Sequence, residues 1–306
     1  KKIDSTGVAH AIPRRDLDTS GSTKYDMYKP DYTASKTAQS GATNLFDSTF
    51  YFVTSAYRVY KVLDNNNDSA FTGGTEPTEE PASPFTIGGY TLKYMYKLST
   101  TDVQNFLTPD FMPVPTAAVS GNALADGALH IIDITTAGLA ASWTTAADRT
   151  ITNIPVRGDG SGARCSVTIG GTDGSADGTV TAISVTTNGT GYTHGTVLPA
   201  DIIEQHNIQN VGAGTNATMT FTTNPVAEVI IGPDGGHGSN PAKELGGHFI
   251  LMDVKLTQTE GFDFTVVNDF RQIGVVRDPF SYGTTSKYTG STARQTKSIK
   301  INTNSG

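Results

Sequence analysis

Apolar and polar side chains alternate along much of this chain with the period of two that a pleated strand imposes. Over residues 91–98, Leu92, Tyr94, Tyr96 and Leu98 share one face, and Lys93, Met95 and Lys97 share the other. That pattern predicts a half-buried strand. Over 249–256, Ile250, Met252, Val254 and Leu256 stand opposite Asp253 and Lys255. Segments 50–53 and 57–63 are aromatic and β-branched, the side chains that suit a pleated surface, and they stop at the polar turn Asp64-Asn65-Asn66-Asn67-Asp68. Further strands are expected at 165–169, 183–185, 217–221, 264–267 and 273–276. One short helix should follow the 91–98 strand. Thr101 and Gln104 have the spacing of a capping box, Val103, Phe106 and Leu107 form an apolar stripe, and Pro109 ends it. The first 49 residues lack periodicity and read as an extended loop broken at Pro13, Pro30 and Gly41. Pro77, Pro81 and Pro84 exclude regular structure from a second loop.

These elements predict a mainly β fold, α+β only in having a few short helices. The composition shifts near Pro113-Val114-Pro115, where the chain becomes rich in Gly, Ala and Thr and poor in charge. Longer apolar runs return after Pro225. The expected organisation is a discontinuous β-rich domain, 1–112 and 226–306, with an all-β domain, 113–225, inserted in it. Gly158-Asp159-Gly160-Ser161-Gly162-Ala163 is echoed by Gly212-Ala213-Gly214-Thr215-Asn216-Ala217. Two copies fall short of the three stacked units a solenoid needs.

Composition narrows the function classes. Of 306 residues, 36 % are hydrophobic, 17 % are charged and 33 are Gly, which suits short strands and many turns. No apolar run approaches the 18 residues of a membrane span, and no charged–apolar–small leader opens the chain, so neither membrane insertion nor a signal peptide is expected. The net charge of −7 disfavours binding to nucleic acid or anionic lipid, which rests on clustered Lys and Arg. One region departs from this. From 271 to 306, Arg271, Arg277, Lys287, Arg294, Lys297 and Lys300 face a single acid, Asp278. This stretch is either a solvated tail or an arm that docks on an acidic neighbour. The lone cysteine, Cys165, alternates with apolar residues and belongs in a strand core.

No catalytic constellation is legible. A phosphate cradle needs its glycines to open a helix, whereas 158–162 opens onto a strand and reads as a turn or bulge. His237, within Gly235-Gly236-His237-Gly238, has no partner at metal-ligand spacing, and His248 is too distant in sequence. Glu79-Glu80 and Asp64 with Asp68 read as turn carboxylates. A calcium loop starting at Asp64 would have Ser69 and Thr75 where Gly and Glu belong. No enzyme, cofactor or metal is expected.

Several segments resemble, in order, the dimer-forming baseplate wedge subunit of T-even-type contractile-tailed bacteriophages. Ala11-Ile12-Pro13-Arg14-Arg15-Asp16 is close to that family's early Ile-Pro-Arg-Arg-Asp signature. Tyr57-Arg58-Val59-Tyr60-Lys61-Val62-Leu63-Asp64 resembles its aromatic strand ending in Leu-Asp. Gly88-Gly89-Tyr90-Thr91-Leu92-Lys93-Tyr94-Met95-Tyr96 resembles its Gly-Tyr strand, and Pro113-Val114-Pro115 the segment after it. Late segments, Gly235 to Pro241 with Glu244-Leu245-Gly246, and Phe270-Arg271-Gln272-Ile273, resemble forms in cyanophage-like relatives. The chain lacks the family's stretch before the first signature and its closing Pro-containing strand, so contacts of those ends are not carried over. The resemblance implies a structural virion protein that forms a homodimer, bridges neighbouring wedge proteins and is assembled in the host cytoplasm. Arg14, Arg15 and Asp16 are then interface candidates through bidentate guanidinium pairing, with an internal contact as the equal alternative. Arg271, Arg277, Lys297 and Lys300 join them as candidates. A second class is a tail-fibre-like carbohydrate-binding module, with an exposed aromatic cluster around Trp143, Tyr192 and Tyr282. A third, a depolymerase, needs two carboxylates facing one groove.

Overall fold

The computed structural model describes residues 5–72, 74–141, 143, 145–172, 177–209, 219–255, 271–277, 280–281 and 299–300; from 254 onward it gives backbone pairing alone. The expected strand at 264–267 and the glycine echo at 212–217 lie outside the described residues. The fold is mainly β, and among the described residues the helices are short. The chain divides into two compact units, a flanking unit of Lys1–Ala123 with Gly238–Gly306 and a central unit of Leu124–His237, named here for their sequence order. The boundaries therefore fall later than 112/113 and 225/226. Pairing explains the shift: Pro113 belongs to a flanking-unit strand, and 226–230 forms a central-unit strand.

The flanking unit opens with a strand where a loop was expected, β1 (Val8–Pro13). Ala9, Ala11 and Ile12 are buried there, but the run is short and both its faces are covered, so no alternation marks it. A hairpin sheet follows: β2 (Tyr51–Val53), β3 (Arg58–Asp64), β4 (Phe85–Ile87) and β5 (Tyr90–Lys97), in the order β2-β3-β5-β4. The proline-rich loop thus ends in a short edge strand. β5 is buried on both faces rather than one, with Lys97 its exposed end. Cross-strand partners include Tyr60 with Tyr94 and Lys61 with Lys93. The turn after β3 runs through Asn66, Asn67 and Asp68, all with φ between 53° and 56°, residues that tolerate the left-handed region.

Aromatic rings fill this unit. Tyr25 lies 5.1 Å from Phe52, and Phe71 meets Tyr90 edge-on at 5.5 Å. The tyrosine hydroxyls reach past the core to carbonyls of two loops and two strand ends: Tyr90 donates to Ser69 O (2.6 Å), Tyr60 to Glu79 O (2.7 Å), Tyr51 to Pro13 O (2.8 Å) and Tyr96 to Pro113 O (3.0 Å). Each ring so buries apolar area and fastens a segment outside its own sheet. Asp26, fully buried, does the same for the first loop by accepting from Ser40 N (2.9 Å) and Thr49 N (2.7 Å). Helix α1 (Thr100–Phe106) is capped by Ser99 with Asp102 as its reciprocal partner, two residues before the expected Thr101–Gln104 box. Ser-x-x-Asp fits the same motif two residues upstream, and the shorter acid completes it. β6 (Phe111–Pro113) then pairs with β1.

The central unit starts with β7 (Ile131–Thr136) and β8 (Leu139–Ala140). β9 (Arg149–Pro155), β10 (Arg157–Gly158), β11 (Arg164–Ile169), β12 (Val180–Thr187) and β13 (Gly195–Thr196) follow, then α2 (Pro199–Gln209), β14 (Phe221–Thr223) and β15 (Val226–Ile230). β12-β11-β9 form one sheet, and β7 pairs with β15. Along β11, Cys165, Val167 and Ile169 point inward, as the alternation predicts. The core around them is aliphatic, with Ile151, Ile154, Val180, Ile202 and Met219, plus Tyr192.

The chain returns to the flanking unit through α3 (Pro241–Glu244), β16 (Phe249–Lys255) and β17 (Arg271–Arg277). These last strands complete the sheet β17-β16-β1-β6. β18 (Phe280–Ser281) pairs with β19 (Ile299–Lys300).

Candidate functional site

Arg14, Arg15 and Asp16 continue β1 along the edge of β2. Val53 N donates to Arg15 O (2.8 Å), Leu17 N donates to Val53 O (2.9 Å), and Asp16 bridges Val53 in parallel. The side chains make contacts within the chain. Arg14 Nε donates to Asp16 Oδ1 (2.9 Å), and its Nη1 to Thr108 O (3.3 Å). The Arg15 guanidinium lies over the Tyr51 ring, 4.4 Å from its centroid, with Nη2 3.4 Å from both Phe46 O and Asp47 O. Its Nη1 is buried without a hydrogen-bond partner among the described residues. Tyr51 is the ring that clamps Pro13, so Arg15 stacks on the joint between the two flanking-unit sheets. Arg14, Arg15 and Asp16 thus each make an internal contact, and the Asp16 side chain is 63 % exposed.

The late basic residues are not gathered into one cluster by the described backbone. Arg271 and Arg277 occupy opposite ends of β17, across from Lys255 and Phe249. Lys300 is across from Phe280, while Lys297, Lys287 and Arg294 lie outside the described residues.

The chemically dense place in the flanking unit includes Lys93, which the alternation pattern put on the face away from the core. Lys61 and Lys93, neighbours on β3 and β5, are both fully buried. Lys61 pairs with Glu244, whose side chain is 1 % exposed, and its Nζ lies 4.7 Å from the Tyr28 ring centroid. Glu244 Oε1 also accepts from Gly238 N (2.8 Å) and Asn240 N (3.1 Å). Lys93 donates to Asn122 Oδ1 (2.6 Å) and to Tyr94 O (3.0 Å). Burial pushes both ammonium groups down, with the Glu244 carboxylate opposing it at Lys61. At Lys93 burial and the Lys61 charge together bring the value down to about 8. Two buried lysines thus share one carboxylate. The signal that could have found them is the Lys61–Lys93 register: like charges directly opposed across a ladder are avoided unless a counter-charge is built in.

Among the described residues, Trp143 and Tyr192 of the expected aromatic cluster are not exposed. Tyr192 is 2 % exposed and Trp143 9 %, and both belong to the core; Tyr282 lies outside the described residues. Tyr192 donates to Val156 O (3.1 Å) and accepts from Ala163 N (3.3 Å). The glycine-rich run 158–162 is a turn closed onto it: Ser161 and Thr190 exchange two hydrogen bonds of 3.0 Å, and a Cβ at Gly160 would stand 2.4 Å from the Tyr192 ring. His237 is buried, and His130, 107 positions earlier in the sequence, meets it at 5.9 Å between ring centroids. Sequence spacing could not disclose that pair. No group of three or more His, Cys, Asp or Glu residues is placed to hold a metal ion among the described residues. Glu80 pairs with Arg58 (2.6 Å), and Glu79 Oε2 accepts from Thr78 N (3.0 Å). Cys165 is a buried thiol pushed up to about 12 by burial.

Among known proteins, no family model, no curated protein and no solved structure matches this chain.

Proposed function

We propose that the chain is a structural virion protein, a wedge component of a contractile phage-tail baseplate that forms a homodimer and bridges neighbouring subunits. The observation that carries this reading is where the resembling segments lie. The Ile-Pro-Arg-Arg-Asp segment closes β1 and runs along β2. The Tyr57–Asp64 segment includes β3, and the Gly-Tyr segment includes β5. Pro113 ends β6, and Glu244 closes α3. These segments, scattered over more than 230 positions, are thus parts of one unit, joined to each other by Tyr51, Tyr96 and the Lys61–Glu244 pair, while Gly235–His237 of the late segment belong to the central unit. A unit so cross-tied keeps its surface shape fixed, which is what a subunit that acts through its surfaces requires.

Exposed side chains are available for such contacts, among them Phe46 and Tyr57. Tyr57 holds a φ of 61° that an aromatic residue seldom adopts. Light scattering on the full chain at micromolar concentration tests the reading: a dimer mass is expected, and a monomer would count against it.

A further inference from the structure

Lys93 and Asn122 face each other in the interior of the flanking unit, at the middle of β5 and just before the chain enters the central unit. Lys93 is fully buried and Asn122 is 3 % exposed. The asparagine amide is held in one orientation, because its Nδ2 donates to Tyr94 O (2.9 Å) and Met95 O (3.2 Å). That leaves its carbonyl end toward the lysine, whose Nζ is 2.6 Å from Oδ1. The backbone at Gly238 completes the enclosure. A Cβ there would lie 3.3 Å from both Cε and Nζ of Lys93 and 3.0 Å from Asn122 O, in a conformation (φ +88°) that favours glycine.

The hydrogen bonds of Lys93 go to two neutral oxygens, which stabilise an ammonium poorly in a dry interior. The charged groups facing it are Lys61 from β3, which disfavours its protonation, and Glu244 from α3, which favours it but is paired with Lys61. The neutral amine is therefore accessible near pH 8, and a desolvated amine is a nucleophile. It is held beside an amide carbonyl in an enclosure that keeps out water, the competing nucleophile.

We propose that Lys93 and Asn122 close an intramolecular isopeptide bond. Lys93 Nζ bonds to Asn122 Cγ and the Cγ–Nδ2 bond breaks. The leaving nitrogen takes up the proton that Nζ gives up and departs as ammonia. The exchange needs no oxidant, metal or other reactant, and proximity supplies what the uncatalysed reaction lacks. Glu244 acts as a positioning residue: it keeps Lys61 charged, and that charge disfavours protonation of Lys93. The product ties β5 to a residue 29 positions away. Like a disulfide, it restricts the unfolded chain, yet it resists reduction. This inference stands apart from the baseplate reading.

Mass spectrometry of the purified full chain decides it. The denatured protein should weigh one ammonia less than its sequence, and tandem spectra should show a branched peptide joining Lys93 to Asn122. Both features should vanish in Lys93→Arg and in Asn122→Ala. Should either variant fail to fold, the branched peptide in the wild type still decides the matter. A folded wild-type protein with Lys93 in a linear peptide would overturn the proposal. Ammonia loss without a branch would also overturn it, because ring closure at Asn188-Gly189 gives the same mass.

Discussion

The two units solve the problem of a low hydrophobic content in opposite ways. The flanking unit uses large side chains that do two jobs. Tyr51, Tyr60, Tyr90 and Tyr96 bury their rings and spend their hydroxyls on carbonyls of two strand ends and two loops, so neighbouring segments are tied to the core. It also encloses charge, in the Lys61–Glu244 pair and at Lys93. The central unit works by close approach. Its core is aliphatic, and glycines let turns come within touching distance of Tyr192. The lesson is that the first design fails when a group is removed, and the second when an atom is added.

The largest effect should come from the buried pair. Glu244→Leu leaves the Lys61 charge without its partner, and breaking such a pair costs about 3–5 kcal/mol. The double variant Lys61→Met/Glu244→Leu should recover most of that loss in denaturant titrations. A double variant as unstable as the single would show that the carboxylate matters through the Gly238 and Asn240 amides instead.

Gly160→Ala tests the central unit. The added methyl would meet the Tyr192 ring at 2.4 Å, and overpacking of this kind costs about 1–3 kcal/mol. Thiol labelling of buried Cys165 reports opening of that unit and should quicken in the variant. Unchanged labelling would mean that the turn yields without cost.

The smallest effect is a pH dependence. Burial raises the phenols of Tyr25, Tyr51, Tyr60, Tyr90, Tyr94 and Tyr96 above the ordinary 10.0, with Tyr94 at about 12. The folded state then holds protons that the unfolded chain gives up near pH 10. The stabilisation is complete below that pH and is lost as pH climbs through about 12. Tyrosinate absorbance should lag behind free tyrosine and rise together with loss of near-ultraviolet dichroism. Independent ionisation of these rings near pH 10 in folded protein would contradict a core built on them.

Strands with clean alternation or aromatic enrichment were legible in the sequence: β3, β5, β11 and β16 lie where the pattern puts them. β1 was not, because a strand covered on both faces carries no alternation and Val8-Ala9-His10-Ala11 is weakly apolar. The second face of β5 was hidden for a related reason. Lys93 reads as solvent-facing unless one knows that Asn122 and Tyr94 O wait for it. The unit boundaries moved by about a dozen residues because composition changes where glycine becomes frequent, whereas units are defined by which strands pair. Arg14, Arg15 and Asp16 were visible as a motif, but whether they bond inward is a matter of where β2 and α1 end. The meeting of His130 with His237 depends on chain reversal alone.

The measurement that bears most directly on the scaffold reading is electron microscopy of the intact contractile tails in which the proposal places this chain. The account predicts two copies in contact with each other inside the baseplate, the flanking unit touching neighbouring subunits, in the particle before sheath contraction. A baseplate resolved in full that contains no such chain would contradict it.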